Sequence, residues 1–129
     1  MTAILSNFSP ASLAFIGDAV YSLLVREELV KSADLKLSVL HKRSVSLVNA
    51  AAQAKSIKLI LPMLTTEEAS LYRRGRNTNV TVPKTASSAD YHNATGLETL
   101  FGFLYLSGQH NRLKEIFSVI WETLCFNEK

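Results

Sequence analysis

The chain has 129 residues, a length suited to one domain. Its 47% hydrophobic content with only 19% charged residues excludes a disordered chain. The net charge of +3 permits contact with phosphates without demanding it. The single cysteine, Cys125, excludes an internal disulfide and fits a reducing compartment, and no activating arrangement marks it as a nucleophile. The first residues, "MTAILSNFSPAS", lack the basic stretch and long apolar run of a secretory signal. No segment reaches the ~18 apolar residues of a membrane span. A cytoplasmic protein without a membrane partner is expected.

In chain order the pattern is all-α. Ser9 and Pro10 make a helix start, a capping hydroxyl followed by a residue suited to the first helical position, and that helix should run to about Val30. A second helix is expected from near Leu35. Its stripe is Leu37, Leu40, Leu47, Val48, Ala51 and Ala54, interrupted by Ser44. "SIKLILPML" predicts a short helix ending before Pro62. Thr65 and Glu68 have capping-box spacing and open a helix through "EEASLYRRG", which Gly75 should stop. Residues 75–87 have no helical stripe and read as a loop. A loop of that length in a small domain is usually functional or mobile. Ser87 or Ser88 should cap the next helix, which reaches Gly108. A last helix begins near Asn111 with Leu113, Ile116, Phe117, Ile120 and Leu124 on one face.

Two of these helices share an oddity. Between Leu13 and Val25 the only strongly polar side chains are Asp18 and Ser22, and between Ala94 and Leu106 the only charge is Glu98. Each helix also holds an internal glycine, Gly17 or Gly102. A mid-helix glycine costs about 1 kcal/mol relative to alanine, a cost that close approach of another backbone explains. The expectation is two helices crossing tightly with Asp18 facing Glu98. Two carboxylates in a low-dielectric site repel and need a proton or a cation between them. A hard cation such as Mg²⁺ takes one or two carboxylates and keeps several waters, an arrangement suited to phosphodiester hydrolysis. Equally, each acid could pair with an arginine or a helix cap and do nothing else, and spacing alone does not choose.

"LAFIGDAVYSLLV" resembles the ribonuclease III catalytic-domain motif, a Leu-Glu-Phe-Leu-Gly-Asp-Ala-Val string that carries metal-binding acids. "ATGLETLFGFLYL" resembles that domain's second motif, usually Ala-Asp-x-x-Glu-Ala-x-x-Gly-Ala-x-Tyr-Leu. The resemblance spans almost the whole chain as a single domain, residues 1–129, and is strongest to the short branch, Mini-ribonuclease III, through "YRRGRNT" and the form of the second motif. It implies the all-helical endonuclease fold, with Asp18 and Glu98 as catalytic, Mg²⁺-binding acids. Ala14 and Thr95 stand where longer family members carry two further acids. One firmly held Mg²⁺ per site is therefore expected, with Thr95 or Ser22 reached through water.

The same resemblance implies cleavage of double-stranded RNA and maturation of the ends of large-subunit (23S) ribosomal RNA precursors, assisted by a large-subunit ribosomal protein. Full-length relatives carry a separate duplex-binding domain, for which the sequence after the last helix, "CFNEK", leaves no room. RNA contact is therefore expected from Arg73, Arg74, Arg76 and Lys84, on or beside the loop. The resemblance also implies a homodimer, with Phe15 inserted into the partner and Ile16 and Tyr21 contributing, helped by Leu13 and Val20. Asp90 reads as a first-turn helix stabiliser, His92 as a surface residue or as one able to reach RNA or the site, and Lys42, Arg43, Lys55 and Lys58 as a solvated face. The competing reading, kept open by Ala14 and Thr95, is a non-catalytic RNA-binding or ribosome-assembly module with the same fold.

Overall fold

The structure is a computed structural model, and the residues described are 8–79, 81–84 and 86–127, the last three as backbone only. The side chain of Cys125 and the first seven residues, on which the thiol and leader expectations fall, lie outside them. The described residues form six α-helices: α1 (Pro10–Ser32), α2 (Leu37–Val48), α3 (Ala50–Ile60), α4 (Thr66–Arg76), α5 (Ser88–Leu106) and α6 (His110–Asn127). A single 3-10 turn, Leu61–Met63, joins α3 to α4. No described helix is long and apolar enough to cross a membrane.

The helix starts follow local chemistry. Ser9 accepts a hydrogen bond from the Ser12 amide, with Pro10 at the first helical position. Thr65 and Glu68 form a complete capping box, each side chain bonding the other's backbone amide. Ser87 caps α5 through the Asp90 amide.

Helix α5 is the centre of the molecule. Leu97, Leu100, Phe101 and Leu104 are all fully buried on it, and α1, α3, α4 and α6 all pack against it. A helix apolar all round must be covered on all sides. Tyr21 of α1 stands between Phe101 and Phe117, its ring 5.3 Å from one and 5.9 Å edge-on to the other. Its hydroxyl pairs with Ser56 at 3.0 Å, and burial pushes its pKa up to about 12.

Three expectations are corrected. The stripe from Leu37 to Ala54 is two helices, not one. Asn49 breaks it: its Oδ1 accepts from the Ala52 amide to start α3, while its Nδ2 donates to the Val45 and Ser46 carbonyls that end α2. The apolar period continues through the break because Leu47 and Ala54 still face the same core. Gly75 does not stop α4, which runs on to Arg76; it is buried where α4 lies against α5, and an added methyl would meet Thr99 and, at 3.0 Å, the Cα of Gly96. Tyr21, expected at a dimer face, is 0% exposed and belongs to the protomer's own core, as do Leu13 and Val20. Its ring fills the space between α5 and α6, and no surface of it remains for a partner.

Candidate active site

The crossing of α1 and α5 builds the site. A methyl on Gly17 would fall on the carbonyl oxygen of Glu98, and one on Gly102 would fall on that of Leu13 and 3.1 Å from the Gly17 amide nitrogen. Each glycine thus admits the other helix's backbone, which is why both helices bear the propensity cost. The crossing point lies one residue from Asp18 and on the peptide of Glu98 itself, so the two carboxylates meet there.

They line a cleft of about 220 Å³ together with Ala11, Ala14, Phe15, Tyr91 and Thr95. Asp18 stands at the exposed side and Glu98 is half-buried behind it. Burial first, and then the charge of Asp18, push the Glu98 pKa up to about 8, against the pull of a hydrogen bond from Gln53. No lysine, arginine or histidine lines the cleft. The pair therefore lacks a countercharge, and its hard oxygen donors in a cleft with room for several waters fit a divalent cation that retains part of its water shell. Among the described residues no group of three or more acidic, histidine or cysteine side chains is gathered to form a fuller ligand set.

The other expected residues distribute as follows. Thr95 lines the cleft, with its hydroxyl donating to the Tyr91 carbonyl at 2.9 Å. Ser22 is not among the lining residues. Arg73, Arg74 and Lys84 are exposed, and Arg76 lies over the Tyr72 ring, its guanidinium carbon 5.4 Å from the centroid. Tyr72 donates in turn to Asn93 of α5 at 2.7 Å, which ties the basic end of α4 to the helix that carries Glu98. Asp90 sits in the first turn of α5 as expected. His92 is not a free surface residue: it is half-buried, and its Nδ1 is buried without a hydrogen-bond partner. Phe15 is 81% exposed and Ile16 half-buried.

A ribonuclease III domain model matches residues 11–109, which include both carboxylates and every helix except α6. The chain belongs to the ribonuclease III family. Members of that family are endoribonucleases. The chain is 48% identical over 111 residues to a Mini-ribonuclease 3 of Thermoanaerobacter sp. strain X514, covering 85% of this chain and 78% of the relative. A Mini-ribonuclease 3 of Symbiobacterium thermophilum is 42% identical over 108 residues, with 83% of each chain covered. The fold also matches the crystal structure of a Fusobacterium nucleatum protein with a TM-score of 0.84 and 28% identity, covering 92% of this chain and 96% of that one. The short branch of the ribonuclease III family that the motifs resemble is thus the one whose name these curated relatives carry.

Sequence reasoning passed over two residues at the site, Gln53 and Tyr91. Gln53 reaches Glu98 from α3. A signal for it existed: it lies on the stripe of Ala54, Ile57 and Ile60, where a polar side chain facing the core needs a partner. Tyr91 has no such signal, being one aromatic residue near a helix start.

Proposed function

We propose that this ribonuclease III-family protein is a Mg²⁺-dependent endoribonuclease that cuts double-stranded RNA as a homodimer, with precursor large-subunit ribosomal RNA as its substrate. The observation that carries the reading is the meeting of Asp18 and Glu98 in one cleft with no countercharge. Bound there, Mg²⁺ would supply an activated water and stabilise the charge that develops on the scissile phosphate. The protein's own part is to hold Asp18 and Glu98 together, a task done by the Gly17–Gly102 crossing. Arg73 and Arg74, exposed at the end of α4, offer phosphate contacts along a duplex, and Lys84 extends them into the following loop. Hydrolysis then leaves 5′-phosphates, and two sites acting on opposite strands leave a short 3′ overhang.

Dimerisation is supported by the outer face of α1. Phe15, Leu23 and Val30 are 81%, 61% and 64% exposed, at spacings that put them on one side of the helix. A large-subunit ribosomal protein that presents the RNA remains part of the proposal through the resemblance to the short branch.

The test is incubation of the purified protein with duplex RNA, including precursor large-subunit ribosomal RNA, in Mg²⁺ and in EDTA. Cleavage that requires the cation supports the proposal. Binding without cleavage of any duplex would overturn it in favour of a non-catalytic RNA-binding module.

A further inference from the structure

Gln53 is 2% exposed, on the face of α3 that meets α5. Its Nε2 makes two hydrogen bonds, to the Val48 carbonyl at 2.9 Å and to Glu98 Oε2 at 3.2 Å. Val48 is the last residue of α2, so its carbonyl has no partner within that helix. The Gln53 Oε1 is buried and accepts nothing. Reversing the amide would set that oxygen against a carboxylate and a carbonyl, so the donor side alone fixes its orientation. Both amide protons are thus committed, one to the helix break and one to the acid, while a buried acceptor is left without a partner, an arrangement that costs stability.

We propose that Gln53 is a positioning residue for Glu98: it pins one carboxylate oxygen to the α2–α3 break so that the other is presented to the cation beside Asp18. This rests on the metal-dependent reading above. A long glutamate side chain has three rotatable bonds, and a cation site with only two protein carboxylates depends on each being held. Asp18 is short and follows Gly17 at the crossing, so its place is set by backbone. Glu98 reaches further, and Gln53 is the only side chain that donates a hydrogen bond to it among the described residues. Second contacts of this kind, when removed, typically weaken metal affinity by about 10- to 100-fold.

The experiment replaces Gln53 by a residue of similar length without a donor, Gln53→Met. Mn²⁺ affinity is measured without RNA, by the paramagnetic resonance signal of the free ion, beside the Mg²⁺ dependence of single-turnover cleavage. The expected result is a Mn²⁺ dissociation constant and a Mg²⁺ half-saturation both raised at least about 10-fold, with duplex affinity in EDTA unchanged. A folded variant whose Mn²⁺ affinity and Mg²⁺ half-saturation stay within two-fold of the parent overturns the proposal, since a residue needed only for packing would leave both alone. The unsubstituted protein supplies a second readout that does not depend on the variant folding. In ¹⁵N-labelled protein the Gln53 side-chain amide signals should shift on adding Mg²⁺ and again in Glu98→Gln. Signals indifferent to both would overturn the proposal while leaving the metal reading intact, whereas a parent protein that binds no Mn²⁺ would overturn both.

Discussion

Two glutamates, Glu68 buried and Glu98 half-buried, differ in what faces them. Glu68 is 4% exposed and fully compensated. Arg112 donates to both of its oxygens, at 2.9 and 2.8 Å, and to the Met63 carbonyl at 2.7 Å, while Glu115 holds the far side of the guanidinium at 2.5 Å. The Arg112 bonds hold the Glu68 carboxyl below the ordinary carboxylate range, and the guanidinium is held above its own. Among the described residues no cation pairs with Glu98, which faces Asp18 and is pushed up to about 8. One chain thus carries a buried acid that clamps α4 to α6 and a half-buried acid that, with Asp18, lines a cleft without a countercharge. A carboxylate's role follows from what faces it, and lack of compensation is what makes a site able to take up a cation.

Asp18→Asn and Glu98→Gln strike this contrast hardest. Each should cut single-turnover cleavage at least 100-fold, a loss of about 3 kcal/mol or more in transition-state stabilisation. Neither should unfold the protein, and metal-free stability should hold or rise as the repulsion is removed. Asp18→Asn cleaving within a few-fold of the parent at ordinary Mg²⁺ would reduce the pair to structural acids.

Glu68→Gln should behave in the opposite way. Glutamine keeps the capping-box geometry, so the change isolates the ion pair. Because Arg112 keeps 23% of its side chain exposed, the cost is placed at about 2–3 kcal/mol, below that of breaking a wholly buried pair. Urea denaturation measures it, and cleavage per folded molecule should stay within about two-fold.

pH separates the two acids by sign. In the metal-free protein Glu98 keeps a proton that the unfolded chain releases, since its folded pKa of about 8 lies above the ordinary 4.5. Its contribution is complete below pH 4.5 and is lost as pH rises towards 8. Glu68, lowered from 4.5, contributes above that value and loses its contribution as pH falls below it. The unfolding free energy of the metal-free protein, read from urea denaturation, should therefore decline from pH 5 to pH 8 by on the order of 3 kcal/mol, and Glu98→Gln should flatten that decline. A parent curve already flat would mean that Glu98 is ionised throughout.

The smallest effects belong to charges neither buried nor paired. Arg73 and Arg74 are exposed and make no ion pair among the described residues. Changing each to alanine should lower the log–log salt slope of duplex binding by roughly 0.7 to 0.9 per lost phosphate contact, with little change in stability. A binding curve unchanged in strength and slope would remove the end of α4 from the RNA interface.

Much of this was legible because it is local. Caps act within one turn, so Ser9 and Thr65 with Glu68 marked their helices from sequence alone, and the Ser87–Ser88 pair marked a third start to within one residue. The tight crossing was legible because glycine weakens an apolar helix and is worth its cost where a second backbone passes close, so Gly17 and Gly102 together pointed to the meeting of Asp18 and Glu98. What remained hidden depends on which helix face meets which. Asn49 reads as an ordinary stripe-side residue until its side chain is seen closing one helix and opening another. Tyr21 sits on a helix that is apolar on more than one side, and periodicity does not say which side the core takes; the positions of Phe101 and Phe117 do. Arg112 and Glu68 are 44 residues apart, as far beyond the reach of a local pattern as Gln53 and Glu98 at 45. The sequence by itself determined the all-helical pattern, the capped starts at Ser9 and Thr65 and the two acids on apolar helices, because those depend on neighbours within a turn. Only the tertiary structure decided which of Glu68 and Glu98 is neutralised and which faces another acid, because a countercharge is a matter of distance in space.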